Sequence, residues 1–405
     1  MTTDERRDTE LRELVDAAIP EDQALEEEEL EQVSKFQAFA QDRRRWVSFI
    51  LLLLVFVIAI YVLFPKLVGL EDALDRIDNA TWYWVVITLG FTLLMFASYV
   101  ALFRGVLGGR RGPDDALVHR RLNVRASYQI TMAGLAATRI FSAAGAGGLV
   151  LTYWALRKAG MPRRRSACRM VAFLVLMYAI YTVALIVFGV LLRVGVLPGN
   201  APVGGTIVPA AAAGGLIVLF LALALIPEDV ERRIPKFRRF SRAASIAAWL
   251  SKGPATVAMG VRTAIAYIRH PKRGALAVGG AVGFWGANIG ILWASFEAFG
   301  ADVPFAVLVQ GFFVGMAANL IPSPAGGAGP VDAGMIAAFA LFGVPSVEVF
   351  PAVLLYRALA FWLPIPPGIV AYFQLRHTIT GWEAEDGQAP GGVYTSKSKV
   401  TAEAT

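Results

Sequence analysis

Residues 46–64 read WVSFILLLLVFVIAIYVLF, nineteen consecutive residues without a charged side chain. A helix needs roughly 20 mostly apolar residues to cross the hydrocarbon core of a bilayer, so this stretch predicts a transmembrane helix. A second uncharged stretch, WYWVVITLGFTLLMFASYVALF, follows at 82–103. These two segments indicate a helical membrane protein.

Further apolar segments of sufficient length follow at 168–192, 207–226, 275–298 and 347–374, the last interrupted by Pro364, Pro366 and Pro367. Overall, 56% of the 405 residues are hydrophobic and 17% are charged, whereas a soluble domain carries about 25% charged residues. This composition excludes an ordinary soluble enzyme, and the single cysteine excludes a disulfide scaffold. We predict an all-α, polytopic membrane protein with about six spanning helices.

Lysine and arginine in the connections predict the orientation, because cytoplasmic loops carry an excess of both. Basic residues precede the first span and crowd the connections 104–125 and 227–274, whereas 65–81 is acidic and 193–206 is nearly uncharged. Both termini are therefore expected in the cytoplasm, with the protein in the cell membrane.

The formal net charge of +7 divides unevenly along the chain. Residues 1–33 carry thirteen acids and three bases, a net −10, which leaves +17 for the remainder. A basic membrane body suits anionic lipids, and nucleic acid is not an expected partner because the bases lie beside apolar spans. We interpret 1–45 as an acidic, largely disordered tail ending in a basic flank, and 377–405 as a second disordered tail.

Two apolar segments, 126–156 and 305–343, do not fit the alternation as single crossings. One crossing by 126–156 would place the next basic cluster, within 157–165, on the outside. Each segment contains a glycine-rich turn, at 143–148 and 322–330, and prolines in the second turn prevent a continuous helix. We predict two re-entrant helical hairpins that enter the membrane from opposite sides.

An internal similarity pairs the two hairpins. The sequence IFSAAGAGGLV at 140–150 aligns with IPSPAGGAGPV at 321–331 with six identities. It predicts an inverted repeat, 46–192 and 207–376, within a membrane domain at 46–376, with 245–268 as surface helices. Inverted repeats with broken helices are a transporter architecture. Chance similarity is the alternative, because small residues are common in membrane helices.

Charged residues inside apolar segments are costly and usually face partners or water. Arg357, Asp332, Arg139 and Arg169 are such residues. The arginines suit an anionic headgroup, since a guanidinium donates two parallel hydrogen bonds to phosphate, and Asp332 suits their counter-charge or a cation or proton site. The alternatives are an Arg–Asp pair that only clamps the repeats together and an Arg169 that reaches the membrane interface.

The second glycine-rich turn supplies the other candidate binding residues. Non-helical backbone at membrane depth can present free amides to an ion or anion, which makes Ser323, Gly326, Gly327 and Gly329 candidates. Close helix packing by small residues is the alternative interpretation. No metal ligands stand at zinc spacing and no catalytic motif is present, so we expect neither a cofactor nor an enzyme.

The residues NLIPSPAGGAGPVDA at 319–333, with LLYRALAFWLP at 354–364, resemble the lysylphosphatidylglycerol synthase transmembrane region family. The similarity spans roughly 46–376, and it adds Tyr356 of the Tyr–Arg pair to the candidates. This chain has Ala325 inserted before the glycine pair, and Asp332 where the family has glutamate. The family's best-understood domain flips an aminoacylated phospholipid. The resemblance does not extend to an aminoacyl-transfer domain, so lipid synthesis is not implied.

These observations lead to three functional hypotheses. The first is a flippase-like translocase whose partners are membrane lipids, as anionic phospholipid or lipid-linked substrate, bound between the two hairpins. The second is a non-transporting scaffold or partner subunit of an envelope-lipid enzyme, docking through the 1–33 and 227–274 segments. A membrane glycosyltransferase is a third, weaker hypothesis. A homo-oligomer is compatible with each of these hypotheses.

Overall fold

The computed structural model describes residues 82–108, 116–140, 146–224, 257–321, 327 and 329–388. These residues form helices joined by short turns, without a β-strand among them. The helices are α1 (Trp82–Leu107), α2 (Ala116–Arg121), α3 (Val124–Ile140), α4 (Ala146–Lys158), α5 (Arg163–Arg193), α6 (Ile207–Ala224), α7 (257–269), α8 (Pro271–Ala298), α9 (Phe305–Met316), α10 (Pro330–Leu341), α11 (Ser346–Arg357) and α12 (Ile365–Gln388).

Within the described residues, five helical segments have the length and composition to cross a membrane. They are Trp82–Leu107, Arg163–Arg193, Val203–Ala222, Gly274–Ala298 and Ser346–Asp386. Each coincides with a predicted span, which confirms an all-α, polytopic membrane protein. The predicted first span at 46–64 and the acidic tail at 1–45 lie outside the described residues.

The helices α1 and α8 form the most extensive helix pair of the described bundle. Small residues allow their backbones to approach closely. A Cβ atom on Gly280 would lie 2.4 Å from the backbone nitrogen of Leu102, and one on Gly105 would lie 2.5 Å from that of Ala277. In a membrane the lipid tails are as apolar as the helix surfaces, so helices associate through close packing of small residues.

We expect Gly280→Ala to destabilise the protein by about 1–3 kcal/mol, because the added methyl group overpacks the contact with Leu102. Gly279→Ala is the matched control, since a Cβ atom there would meet nothing within 4 Å. Thermal denaturation in detergent measures both variants. Equal melting temperatures for the two variants would show that the α1–α8 contact does not limit stability.

Each predicted hairpin corresponds to a pair of short helices, whereas their entry from opposite sides of the membrane stays a prediction. The helices α3 and α4 pack on one another, as do α9 and α10. At 1.5 Å per residue, the 17 residues of α3 span about 26 Å, and the 12 residues of α9 are extended by a 3₁₀ turn at Ala317–Leu320. Apart from Gly327 and Gly329, the turns between these helices lie largely outside the described residues.

The helix boundaries recur at the spacing of the sequence similarity. The first hairpin helices begin at Val124 and Phe305, 181 residues apart, and the following long segments begin at Arg163 and Ser346, 183 residues apart. Each first hairpin helix also packs against a long helix of the other unit, α3 on α12 and α9 on α5. This arrangement agrees with the inverted repeat, which stays a prediction.

The last span departs from a regular α-helix just before its prolines. The helix α11 ends at Arg357, and a π-helical segment follows at Ala358–Trp362. A turn at Leu363 and Pro364 then interrupts the helix, as the prolines predict, whereas Pro366 and Pro367 occupy the first turn of α12, where a missing N–H costs little. The π-helical segment therefore lies directly beside a charged candidate residue.

The predicted boundary of the C-terminal tail requires correction. The tail assigned to 377–405 begins as ordered helix, because α12 continues to Gln388 and buries Ile379 and Trp382. Burial of one helix face against the bundle explains this difference, since polar residues along the segment suggested an exposed tail.

The structure describes only the end of the predicted surface segment 245–268. There the helix α7 buries Ala258, Val261 and Ala264, which agrees with a surface helix that packs one face on the bundle.

Candidate functional site

Arg357 and Asp332 form a buried ion pair. Nε of Arg357 lies 2.6 Å from Oδ1 of Asp332, and both side chains are at most one-tenth exposed. Asp332 stands in the first turn of α10, where its Oδ2 accepts a hydrogen bond of 2.9 Å from the backbone N–H of Gly329. Gly329 has a φ of 89°, a conformation that favours glycine. The turn backbone thus orients the carboxylate towards Arg357.

Arg139 reaches the same place from the end of α3. Its Nη2 donates a hydrogen bond of 2.8 Å to the carbonyl oxygen of Ala360, which lies in the π-helical segment. Its guanidinium lies 5.3 Å from the ring centre of Phe361, and that of Arg357 lies 4.1 Å from the same ring. Phe361 therefore holds both cations through cation–π contacts. Single π-helical turns frequently occur at functional sites.

Tyr356 lies next to this group and is held by Asn288. The hydroxyl of Tyr356 donates a hydrogen bond of 3.0 Å to Oδ1 of Asn288, whose Nδ2 donates to the carbonyl oxygen of Phe284 at 2.8 Å. Asn288 is not among the residues that the sequence predicts for the site. Its signal was a lone side-chain amide in the middle of the apolar segment 275–298.

The arginine site, which we define as Arg139, Asp332, Tyr356 and Arg357, contains two cations and one carboxylate. Arg139 and Arg357 lie within electrostatic reach of each other. Nη1 of Arg139 and Nη2 of Arg357 are buried and have no hydrogen-bond partner among the described residues. Because unpaired buried donors and an excess positive charge are costly, this arrangement suits a bound anion.

The other residues predicted to bind substrate or to carry a functional charge do not all lie at the arginine site. Gly327 is buried with a φ of 93°, and a Cβ atom there would lie 2.5 Å from Oδ1 of Asn319, so the turn requires glycine. Ser323 and Gly326 lie outside the described residues. Arg169 is not part of the arginine site, because its Nη1 donates to the carbonyl oxygen of Leu107 at 2.7 Å and thereby joins α5 to α1.

An all-helical bundle with several apolar spans and a buried Arg–Asp site defines a multi-pass membrane protein. The model of the family described as lysylphosphatidylglycerol synthase TM region matches residues 47–368, and the chain belongs to this family. The matched range includes all four residues of the arginine site, and it indicates a lipid-related membrane protein. Neither the curated proteins nor the solved structures contain a match.

Proposed function

We propose that this protein moves a lipid or lipid-linked substrate across the cell membrane and binds its anionic headgroup at the arginine site. The observation that carries this proposal is the pair of buried guanidinium groups, each with an N–H group that has no partner among the described residues. Arginine binds phosphate and carboxylate well, because its planar group donates parallel hydrogen bonds. Membership of a lipid-related family supports a lipid as the carrier of that anion.

The position of the site also supports translocation. Arg139 belongs to the last turn of α3, Asp332 to the first turn of α10, and the π-helical segment of the last span follows Arg357. Helix ends that converge between the two halves of a chain are typical of transporter binding sites. We infer that two inverted units expose this site alternately to the two sides of the membrane.

The test is the movement of a labelled anionic phospholipid between the leaflets of proteoliposomes, compared with a zwitterionic lipid of the same chains. We expect preferential movement of the anionic lipid by the wild type and at least a tenfold loss in Arg357→Ala, since one charge-assisted hydrogen bond contributes about 1.5–3 kcal/mol. Arg269→Ala is the matched control, because Arg269 is an exposed arginine outside the site.

Equal rates for Arg357→Ala and the wild type would remove Arg357 from the mechanism. If the wild type moved no tested lipid, translocation itself would be contradicted.

The scaffold hypothesis gives a different result in the same preparation. A scaffold for an envelope-lipid enzyme would move no lipid by itself, and deletion of residues 1–33 would release its partner. Lipid movement by the purified chain alone would exclude a purely structural role.

A further inference from the structure

The helices α3 and α12 meet along a contact surface that we call the α3–α12 seam. A Cβ atom on Gly368 would lie 2.5 Å from Cβ of Ala136 and 2.6 Å from the carbonyl oxygen of Met132. Further along, the hydroxyl of Thr378 donates a hydrogen bond of 2.9 Å to Oε1 of Gln129. The arginine site lies at one end of the seam, since Arg139 stands in the last turn of α3. The seam therefore leads from that site towards the far end of the bundle.

The far end of the seam is closed by a buried arginine. The guanidinium of Arg121 on α2 lies 2.6 Å from Oδ1 of Asp386 and donates to the carbonyl oxygen of Trp382 at 3.1 Å. It also lies 5.8 Å from the ring centre of Trp382. Arg121 thus ties the end of α12 to the element that precedes α3.

Two further ion pairs surround Arg121. Nζ of Lys158, at the end of α4, lies 2.6 Å from Oε1 of Glu383, and Nη2 of Arg120 lies 3.0 Å from Oε2 of Glu385. These ion pairs, with a longer one of 3.9 Å between Arg121 and Glu385, bind the acidic end of α12 to the first hairpin and its preceding helix, and we call them the latch. The latch joins the cations Arg120, Arg121 and Lys158 to the acids Glu383, Glu385 and Asp386.

The latch is suited to reversible opening. The carboxylates of Glu383, Glu385 and Asp386 are between 49% and 59% exposed. Exposed ion pairs contribute little each and are screened by salt. In the seam behind them, Nε2 of Gln129 is buried without a hydrogen-bond partner among the described residues. Closure at this end thus depends in part on contacts that water and ions can replace, beside the buried side chains of Arg121 and Trp382.

We propose that the α3–α12 seam is the route by which the arginine site is reached from the α2 end of the bundle, and that the latch is its salt-sensitive gate. This inference rests on the proposed function, because it assigns regulation to the same site. Breaking these ion pairs frees the end of α12. The turn at Leu363 and Pro364, which joins the π-helical segment to α12, then acts as the hinge, so that the close contact at Gly368 opens with the rest of the seam. Sequence analysis predicts that this end faces the cytoplasm.

The test is the labelling of a cysteine buried in the seam by a water-soluble maleimide. Ala371→Cys is the reporter, in a Cys168→Ser background, because Ala371 is buried and shares a helix face with Gly368 by its i+3 spacing. The carboxylates of the latch are neutralised by the combined substitutions Glu383→Gln, Glu385→Gln and Asp386→Asn. We expect labelling to become about tenfold faster on neutralisation, and faster in high salt only while the latch is intact.

Two controls make this result specific. Asp302→Asn with Glu348→Gln removes acids elsewhere and should leave the labelling rate of Ala371→Cys unchanged. Ser295→Cys replaces a fully buried residue of α8 and should stay protected when the latch is neutralised. An unchanged rate at Ala371→Cys would overturn the gate, and so would an equal increase at both reporters, which would indicate general loosening.

The labelling result separates this inference from the proposed function. Selective labelling without any lipid movement by the wild type would leave the gate standing and contradict translocation. Lipid movement with no change in labelling would support translocation and contradict the gate.

Discussion

Arg357→Met is expected to lower the free energy of unfolding by about 3–5 kcal/mol and to abolish lipid movement. The stability loss follows because Asp332 would stay buried and lose the guanidinium that lies 2.6 Å from its carboxylate, and removal of one partner of a buried ion pair is strongly destabilising. Thermal denaturation in detergent and lipid movement in proteoliposomes measure the two effects. Arg269→Met is the control for loss of an arginine outside the site.

A second substitution separates the structural part of this effect from the functional part. Asp332→Asn, added to Arg357→Met, removes the stranded charge and keeps an oxygen that can accept from the N–H of Gly329. We expect the double variant to regain most of the stability, because replacing both members of a buried pair is often neutral, but to stay inactive. Recovery of lipid movement in this variant would show that the pair only clamps the helices together.

Arg139→Met is expected to abolish lipid movement while the stability stays equal or rises by about 1 kcal/mol, because it removes a cation that has no paired carboxylate among the described residues. The loss of one hydrogen bond to Ala360 offsets part of this gain. The functional loss follows because the net charge of the arginine site changes from positive to neutral. The same melting and transport measurements apply.

The opposite effects on stability make Arg139 and Arg357 informative as a pair. If Arg139→Met destabilised the protein as strongly as Arg357→Met, Arg139 would be a structural contact with α12 and its preceding π-helical segment. Arg139→Lys supplies a further comparison, since it keeps the positive charge and loses the planar group. This variant is expected to bind a planar anion more weakly than the wild type, although its charge is the same.

Much of the architecture follows from the sequence because the bilayer restricts it. An apolar run must reach about 20 residues to cross the hydrocarbon core, and the five described spans occur where such runs stand. The hairpins were predictable for the same reason, since a second basic cluster conflicted with a single crossing by 126–156. The end of α12 was not predictable in this way. Its face at Ile379 and Trp382 is buried within the protein rather than by lipid, since α3 packs along α12 and Arg121 of α2 contacts Trp382.

The candidate site was predictable in part. Arg139, Asp332 and Arg357 stood out because each is a charge inside an apolar segment. Asn288 did not, since a neutral amide in a long span gives only a weak signal. Its role depends on the hydroxyl of Tyr356, which comes from a helix 68 residues further along the chain.

By itself, the sequence determined that this protein is a multi-pass helical membrane protein with charged residues inside its spans. The physical reason is local, because hydrophobic length and charge are properties of consecutive residues. Only the tertiary structure decided which charges meet. Arg139 reaches a carbonyl 221 residues away, and Arg121 reaches a carboxylate 265 residues away. Such pairs depend on how helices rotate and approach when they pack, and close contacts such as Gly368 against Ala136 determine that approach.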